Sequence, residues 1–260
     1  MSRTSDKIKL PAPKYSMLVE VFGRIWAFWA LIVFLVTMFI VIIPITLTFL
    51  IPEPYGVRIF KAISKVWMSV FLNLVGCPIK VYGKEHYNAN EQYVITSNHR
   101  SLMDVPLLTP FFPGANKTIA KKSFSYVPLF GWIYTRGSVL VDRKNDNSRK
   151  KSLTDMRNVL LKEKLNMALY PEGTRNRTGK PLKSFYDGAF KLAVDCNKKI
   201  IPVVMKSTDY VLPPGKPFFL LPKPLEMHIL PEVSVEGKNY TELKEDVFAI
   251  MWQYIERIHP

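Results

Sequence analysis

Cysteine, histidine and repetitive sequence are all scarce in this chain of 260 residues. The two cysteines, Cys77 and Cys196, lie far apart in apolar surroundings, no Cys-x-x-Cys occurs, and there are four histidines. That excludes a disulfide framework and argues against a structural zinc site. Two buried free thiols in a reducing compartment are expected instead. No zinc-finger spacing, RNA-recognition signature, internal repeat or low-complexity tract is present. Asn-x-Thr sequons at Asn116, Asn176 and Asn239 are near chance level for this length and carry no weight.

Acidic residues are also in deficit, 21 against 36 lysines and arginines, giving a net charge of +15. Such a balance favours anionic partners: phospholipid headgroups, nucleic acid or phosphorylated substrates. Charge does not choose among these. The aromatic residues crowd into apolar segments rather than forming a basic reading surface, so no nucleic-acid partner is expected. Hydrophobic residues at 48% and charged residues at 22% exclude wholesale disorder.

Charge is wholly missing from residues 25–51, a run of 27 bracketed by Arg24 and Glu53. As one helix it would extend about 40 Å, longer than a hydrocarbon core of about 30 Å. No small-residue cleavage site follows it. Pro44 interrupts it, which leaves two readings. A spanning helix ends near residues 41–43, or the segment bends and returns to its starting side. Next, Phe60, Ile63, Trp67, Val70 and Leu74 recur at helical spacing within residues 56–76, with Lys61 and Lys65 opposite. This amphipathic helix suits either a lipid surface or packing on the core.

From Cys77 onward, short apolar runs alternate with polar helices. Strands are expected at 79–82, 93–97, 118–120, 138–141, 167–170, 201–205 and 226–230, and helices at 102–108, 147–164, 187–195 and 241–257. This alternation predicts an α/β domain with a largely parallel central sheet flanked by helices. Ligand sites in such sheets gather at the carboxyl ends of strands. The expected organisation is a membrane anchor over residues 1–76 and a second domain over 77–260.

Chemistry concentrates after three of the strands. His99 follows the first, with Asp104 five residues on. A histidine accepts a proton near neutral pH, and a carboxylate on its other ring nitrogen fixes the tautomer. No serine or cysteine nucleophile accompanies them, so the base would act on a substrate hydroxyl directly. In Tyr170-Pro171-Glu172-Gly173-Thr174-Arg175, Gly173 permits close backbone approach and Arg175 offers a fork for phosphate. Lys121, just past another strand, is a second phosphate candidate. Ile201-Pro202-Val203 by itself reads as a core strand.

Order, spacing and residue types together resemble the glycerophospholipid acyltransferase family, in its 1-acylglycerol-3-phosphate branch. The Asn-His-x₄-Asp motif is met by Asn98, His99 and Asp104. A Lys followed by Pro-x-x-Gly and Asp-Arg is met by Lys121, Pro128, Gly131, Asp142 and Arg143. Pro-Glu-Gly-Thr-Arg is met by Pro171 to Arg175, with Tyr170 where the family has Phe. The Val/Ile-Pro-Val strand is met at Ile201 to Val203, and the likeness covers about residues 79–230.

The resemblance implies that His99 deprotonates the glycerol hydroxyl of a lysophospholipid, which attacks an acyl thioester carried by CoA or acyl-carrier protein. Asp104 would orient His99. Arg175 and Lys121 would hold the acceptor's phosphate in a pocket shaped by Glu172, Gly173 and Thr174. It implies no metal or organic cofactor, contacts with membrane lipids, and an active domain on the cytoplasmic side of a membrane. Another acceptor, such as an acylated amino-acid lipid, or a non-catalytic membrane-binding role remain as rivals. Asp187 stands where many members carry a cation, pointing to a different acceptor or to a capped helix start.

Overall fold

A computed structural model describes residue 11 and residues 13–142 and 145–258. Arg143, counted above in the second motif, lies outside the described residues. The chain opens with two long helices, α1 (Met17–Leu47) and α2 (Tyr55–Leu74). The α/β portion then runs β1 (Ile79–Tyr82), β2 (Val94–Ser97), α3 (Asp104–Phe111), β3 (Asn116–Lys121), α4 (Phe130–Arg136), β4 (Ser138–Val141), α5 (Asp146–Leu161), β5 (Asn166–Leu169), α6 (Gly188–Asp195), β6 (Ile200–Lys206), α7 (Thr208–Val211), β7 (Leu225–Ile229) and α8 (Tyr240–Ile258). All seven expected strands are present. The short helices α4 and α7 were not expected.

One seven-stranded sheet has the order β1-β7-β6-β2-β5-β3-β4. The five strands from β6 to β4 are mutually parallel, while β7 runs antiparallel to β6 and parallel to β1. Every residue of β2 and β5 is buried, as befits central strands covered on both faces. Alternate side chains feed two cores. Tyr93, Ile95, Ile201 and Val203 pack with α1, α2 and α3. Val94, Met167, Ile200 and Val204 pack with α5, α6 and α8. Local caps fix the helix starts. Asn145 Oδ1 accepts the Ser148 N–H at α5. At α8, Asn239 Oδ1 accepts the Glu242 N–H, and Glu242 Oε2 accepts the Asn239 N–H, a capping box. Both cysteines are free and buried.

Pro44 does not end the first helix, which continues through it to Leu47. α1 lies along the domain and is tied to it near both ends. Gly23 O accepts the Leu220 N–H near one end, and Thr48, just past the other, accepts from Arg136. α2 doubles back along it. Trp67 Nε1 donates to Thr37 Oγ1 at 2.9 Å, and Trp26 Nε1 donates to Val75 O at 3.0 Å. The buried stripe of α2 is Phe60, Ser64, Trp67, Met68 and Phe71, leaving Val70 and Leu74 exposed. Lys61 faces inward, donating to Pro113 O at 2.5 Å. It is Arg58 and Lys65 that stand in solvent.

Arg136 is only 7% exposed and closes the helical pair onto the domain. It donates to Thr48 Oγ1 at 3.0 Å, Thr48 O at 2.9 Å and Glu53 Oε1 at 2.7 Å. Glu53 also faces Lys117 at 3.2 Å, and Lys117 reaches Glu163 at 2.6 Å. This chain of alternating charge runs from the α1–α2 turn through β3 to the segment after α5. Removing the cation leaves Glu53 with Lys117 and the Val57 N–H alone and takes a buried donor from each oxygen of Thr48. Arg136→Ala is expected to cost about 3 kcal/mol in denaturant unfolding of the detergent-solubilised protein. A loss below about 1 kcal/mol would place the contact with ordinary surface pairs.

Candidate active site

Three neighbouring parallel strands, β2, β5 and β3, deliver the singled-out motifs to one edge of the sheet. His99 follows β2, Tyr170 to Arg175 follow β5, and Lys121 closes β3. The loop after β2 is folded around one carboxylate. Asp104, fully buried at the start of α3, takes three donors on a single oxygen, Oδ2. His99 Nδ1, the Arg100 N–H and the Ser101 N–H each approach it at 2.8 Å. An ionised carboxylate only accepts, so Nδ1 carries the proton. Nε2 keeps its lone pair and is the nitrogen left for the cavity that His99 lines.

A second carboxylate holds the backbone of the same histidine. Glu172 is fully buried. Its Oε1 accepts the His99 N–H at 2.7 Å, and its Oε2 accepts the Lys183 N–H at 2.9 Å. His99 O in turn accepts the Asn176 N–H at 2.6 Å. The loops after β2 and β5 are thereby pinned to each other on both sides of His99. Glu172 was expected, with Gly173 and Thr174, to shape the pocket for a phosphate held by Arg175 and Lys121; both of its oxygens are engaged by backbone N–H groups. Burial pushes its pKa up from 4.5 to about 8, against the lowering effect of the two N–H donors and the Lys183 charge.

Asn98 clips the other flank, with Nδ2 donating to Met205 O and Oδ1 accepting the Met205 N–H. This ties the end of β2 to β6, the strand of the fourth motif. Ser101 Oγ donates to Leu212 O, and Arg100 pairs with Asp209 at 3.0 Å. Tyr170, in the Phe position, lays its ring 4.5 Å from the His99 ring. Gly173 adopts φ +71°, and a Cβ there would meet the Tyr186 ring at 2.8 Å, so both conformation and space call for glycine. Thr174 is exposed and accepts from Lys183 Nζ at 2.8 Å.

His99, Tyr170, Gly173 and Lys121 line one cavity of about 430 Å³, within the usual range for a ligand site. The remaining wall is mostly apolar, with Phe34 from α1, Phe60 and Trp67 from α2, and Phe130 and Tyr134 from α4. Arg175 does not line it. It is half-buried near Arg177, and desolvation and that like charge lower its pKa while Asp104 raises it. Among the described residues neither Arg175 nor Arg177 has a carboxylate partner. Asp187 is engaged at 2.8 Å by Lys244 of α8, which gives it a structural neighbour. A larger cavity of about 640 Å³ lies between β3, β4 and α5, and none of the singled-out residues lines it. Among the described residues no cluster of ligating side chains could hold a metal.

With this geometry in place, comparison with known proteins is direct. Residues 78–206 match the Acyltransferase family model. The chain carries a domain of the acyltransferase family. It is 32% identical over 161 residues to a 1-acyl-sn-glycerol-3-phosphate acyltransferase of Cocos nucifera, covering 61% of this chain and 51% of that protein. It is also 32% identical over 167 residues to 1-acyl-sn-glycerol-3-phosphate acyltransferase alpha of Mus musculus, covering 63% of this chain and 58% of that one. The chain thus spans about half the length of the coconut protein. Its fold is that of the crystal structure of a 1-acyl-sn-glycerophosphate acyltransferase from Thermotoga maritima. The TM-score is 0.76 at 19% identity, over 92% of this chain and 95% of that one.

The raised pKa of Glu172 has a sign that can be measured. Between 4.5 and about 8 the folded state holds a proton that the unfolded state has released. The associated stability is complete below the lower value and lost as pH rises through the upper one. Gln, which matches the protonated acid in shape, has no such slope. The Tm of Glu172→Gln should therefore gain on that of the parent protein as pH rises across this window. A constant difference in Tm would show that Glu172 is ionised throughout.

Proposed function

We propose that this protein transfers a fatty acyl group from an acyl thioester to the free hydroxyl of 1-acylglycerol-3-phosphate, giving phosphatidic acid. The observation that carries this reading is the His99–Asp104 pair at the mouth-forming loop of an apolar cavity that also presents Lys121. Nε2 of His99 takes the proton from the acceptor hydroxyl, and that oxygen forms a bond to the thioester carbonyl carbon. The tetrahedral adduct collapses, the C–S bond breaks, and the leaving thiolate takes the proton back from the imidazolium. Asp104 holds the ring and stabilises its charged form. The apolar wall suits a hydrocarbon chain. Arg175 and Lys121 supply cations for the acceptor's phosphate. The donor is carried by CoA or acyl-carrier protein. The relatives' printed names support the acceptor.

Residues 1–76 act, in this reading, as the membrane anchor of an enzymatic portion in 77–260. α1 is, among the described residues, the one helix long and apolar enough to cross a membrane. Its attachment to the same domain near both ends supports a different placement. A helix so tied lies in the interface, with its exposed face, including Phe28, Phe39 and Ile40, among lipid chains. The domain then sits on the cytoplasmic side, where thioester donors are made. An acceptor that lives in the bilayer is reached without leaving it.

Two measurements test the chemistry. His99→Ala should lower kcat by about 10²- to 10⁴-fold while the protein still co-sediments with vesicles; unchanged turnover rejects His99 as the base. Arg175→Gln should raise KM for 1-acylglycerol-3-phosphate by about 10- to 100-fold, the equivalent of one charge-assisted hydrogen bond, and leave KM for the thioester unchanged. In an acceptor panel, product from an acylated amino-acid lipid but none from 1-acylglycerol-3-phosphate would favour the rival acceptor.

A further inference from the structure

Beyond Lys121, which the acyl-transfer reading uses, the stretch between β3 and α4 carries exposed features that this chemistry does not call on. Phe124, Tyr126, Val127 and Trp132 are 42%, 71%, 42% and 56% exposed, and Lys121 and Lys122 beside them are exposed too. No Asp or Glu occurs from Val105 to Val141, whereas Lys117, Lys121, Lys122 and Arg136 do. The backbone is held in a defined shape. Ser125 Oγ donates to Lys122 O at 2.7 Å, and the Gly131 N–H donates to Val127 O at 2.7 Å. A Cβ on Gly131 would meet Ser125 O at 2.2 Å. The rings of Phe124 and Tyr134 pack at 5.5 Å. Tyr126 and Trp132 are thus held outward by a built turn. Large apolar rings displayed together in this way mark a contact surface.

Position identifies what they contact. Lys121 and Phe124 line the cavity that holds His99, and Phe130 packs on Phe34 of α1 at 6.3 Å. The patch therefore stands at the rim of the candidate active site and touches α1 through its inner, cavity-lining side. Leu102, 52% exposed on the His99 loop, stands on the same cavity. We infer that residues 121–132 form a second lipid-contacting surface, which seats the cavity mouth at the headgroup–acyl boundary of a bilayer containing anionic lipid. Tyr and Trp combine an apolar ring with a polar tip, the chemistry that favours this boundary. The lysines lay their stems on apolar surface and keep their charge among phosphates. The acid-free stretch removes the repulsion that such a surface would otherwise meet.

This inference rests on the membrane-bound reading of α1, and the test separates the two. Single cysteines replace Tyr126, Trp132, Phe28 on α1, or Tyr240 on the opposite face of the sheet. Each carries an environment-sensitive nitrobenzoxadiazole probe, with the parent protein, whose two cysteines are buried, as the labelling blank. The full chain is reconstituted in vesicles of phosphatidylcholine and an anionic phospholipid, with and without nitroxide-labelled lipid. Probes at 126 and 132 should be quenched as strongly as the probe at 28, and the probe at 240 should not. Quenching at 28 alone overturns the inference and leaves the α1 anchor standing. Quenching at neither 28 nor 126 and 132 removes both. A blue shift at 126 and 132 without lipid quenching would assign the patch to a protein partner instead and equally overturns it. Tyr126→Glu with Trp132→Glu, neither of which lines the cavity, should raise KM several-fold for vesicle-borne acceptor. Activity on a short-chain acceptor dispersed in detergent should stay the same. An unchanged KM on vesicles counts against the inference.

Discussion

One oxygen of Asp104 organises the site. Buried at the first turn of α3, it gathers the His99 ring and two successive backbone N–H groups, and so sets both the curvature of the loop and the tautomer of the imidazole. The spacing follows from this. With the carboxylate five residues beyond the histidine, Arg100 and Ser101 turn their N–H groups inward, where a buried carboxylate must find donors. Glu172 performs the complementary task from the next strand, fastening the His99 backbone. The ring is held by one acid and the main chain by another. Neither of these bonds involves a cationic side chain that a phosphate ligand could draw away.

How much of this was legible in sequence differs by element. The strands were readable because short runs such as Val94-Ile95-Thr96 and Ile200-Ile201 are β-branched and apolar, and strand formation needs little more. The reversal of β1 and β7 was not, since side-chain alternation looks the same in either direction. The stripe assigned to α2 was rotated in part. Val70 and Leu74 fit the helical period yet face outward, and apolar residues on both sides of a helix blur its amphipathic signal. α4 has Pro128 just before it, Gly131 within it and Gly137 just after it, a pattern that reads as loop.

In the site, the His99–Asp104 relation was readable because its partners lie five residues apart in one loop. The role of Glu172 was not. A glutamate between proline and glycine looks solvent-facing, and its burial arises only when the loops after β2 and β5 meet. The Arg136–Glu53 contact joins residues 83 positions apart, and nothing local announces it. Lys183 enters for the same reason, through its backbone N–H as well as its charge.

The two long helices have a double part that composition alone conceals. Their outer face is apolar enough for lipid, while their inner face supplies Phe34, Phe60 and Trp67 to the cavity beside His99. The lipid-compatible face and the cavity wall belong to one structure, so what fastens the helices to the domain also shapes the cavity. The charges obey a similar economy of position. Lys117, Arg136, Lys199 and Lys244 each face a carboxylate and hold the fold. Arg175, by contrast, has no carboxylate partner among the described residues and stands near Arg177, whose like charge disfavours its own. Two like charges placed together cost stability unless a counter-ion is supplied. In the function proposed above, that counter-ion is the phosphate of the acceptor.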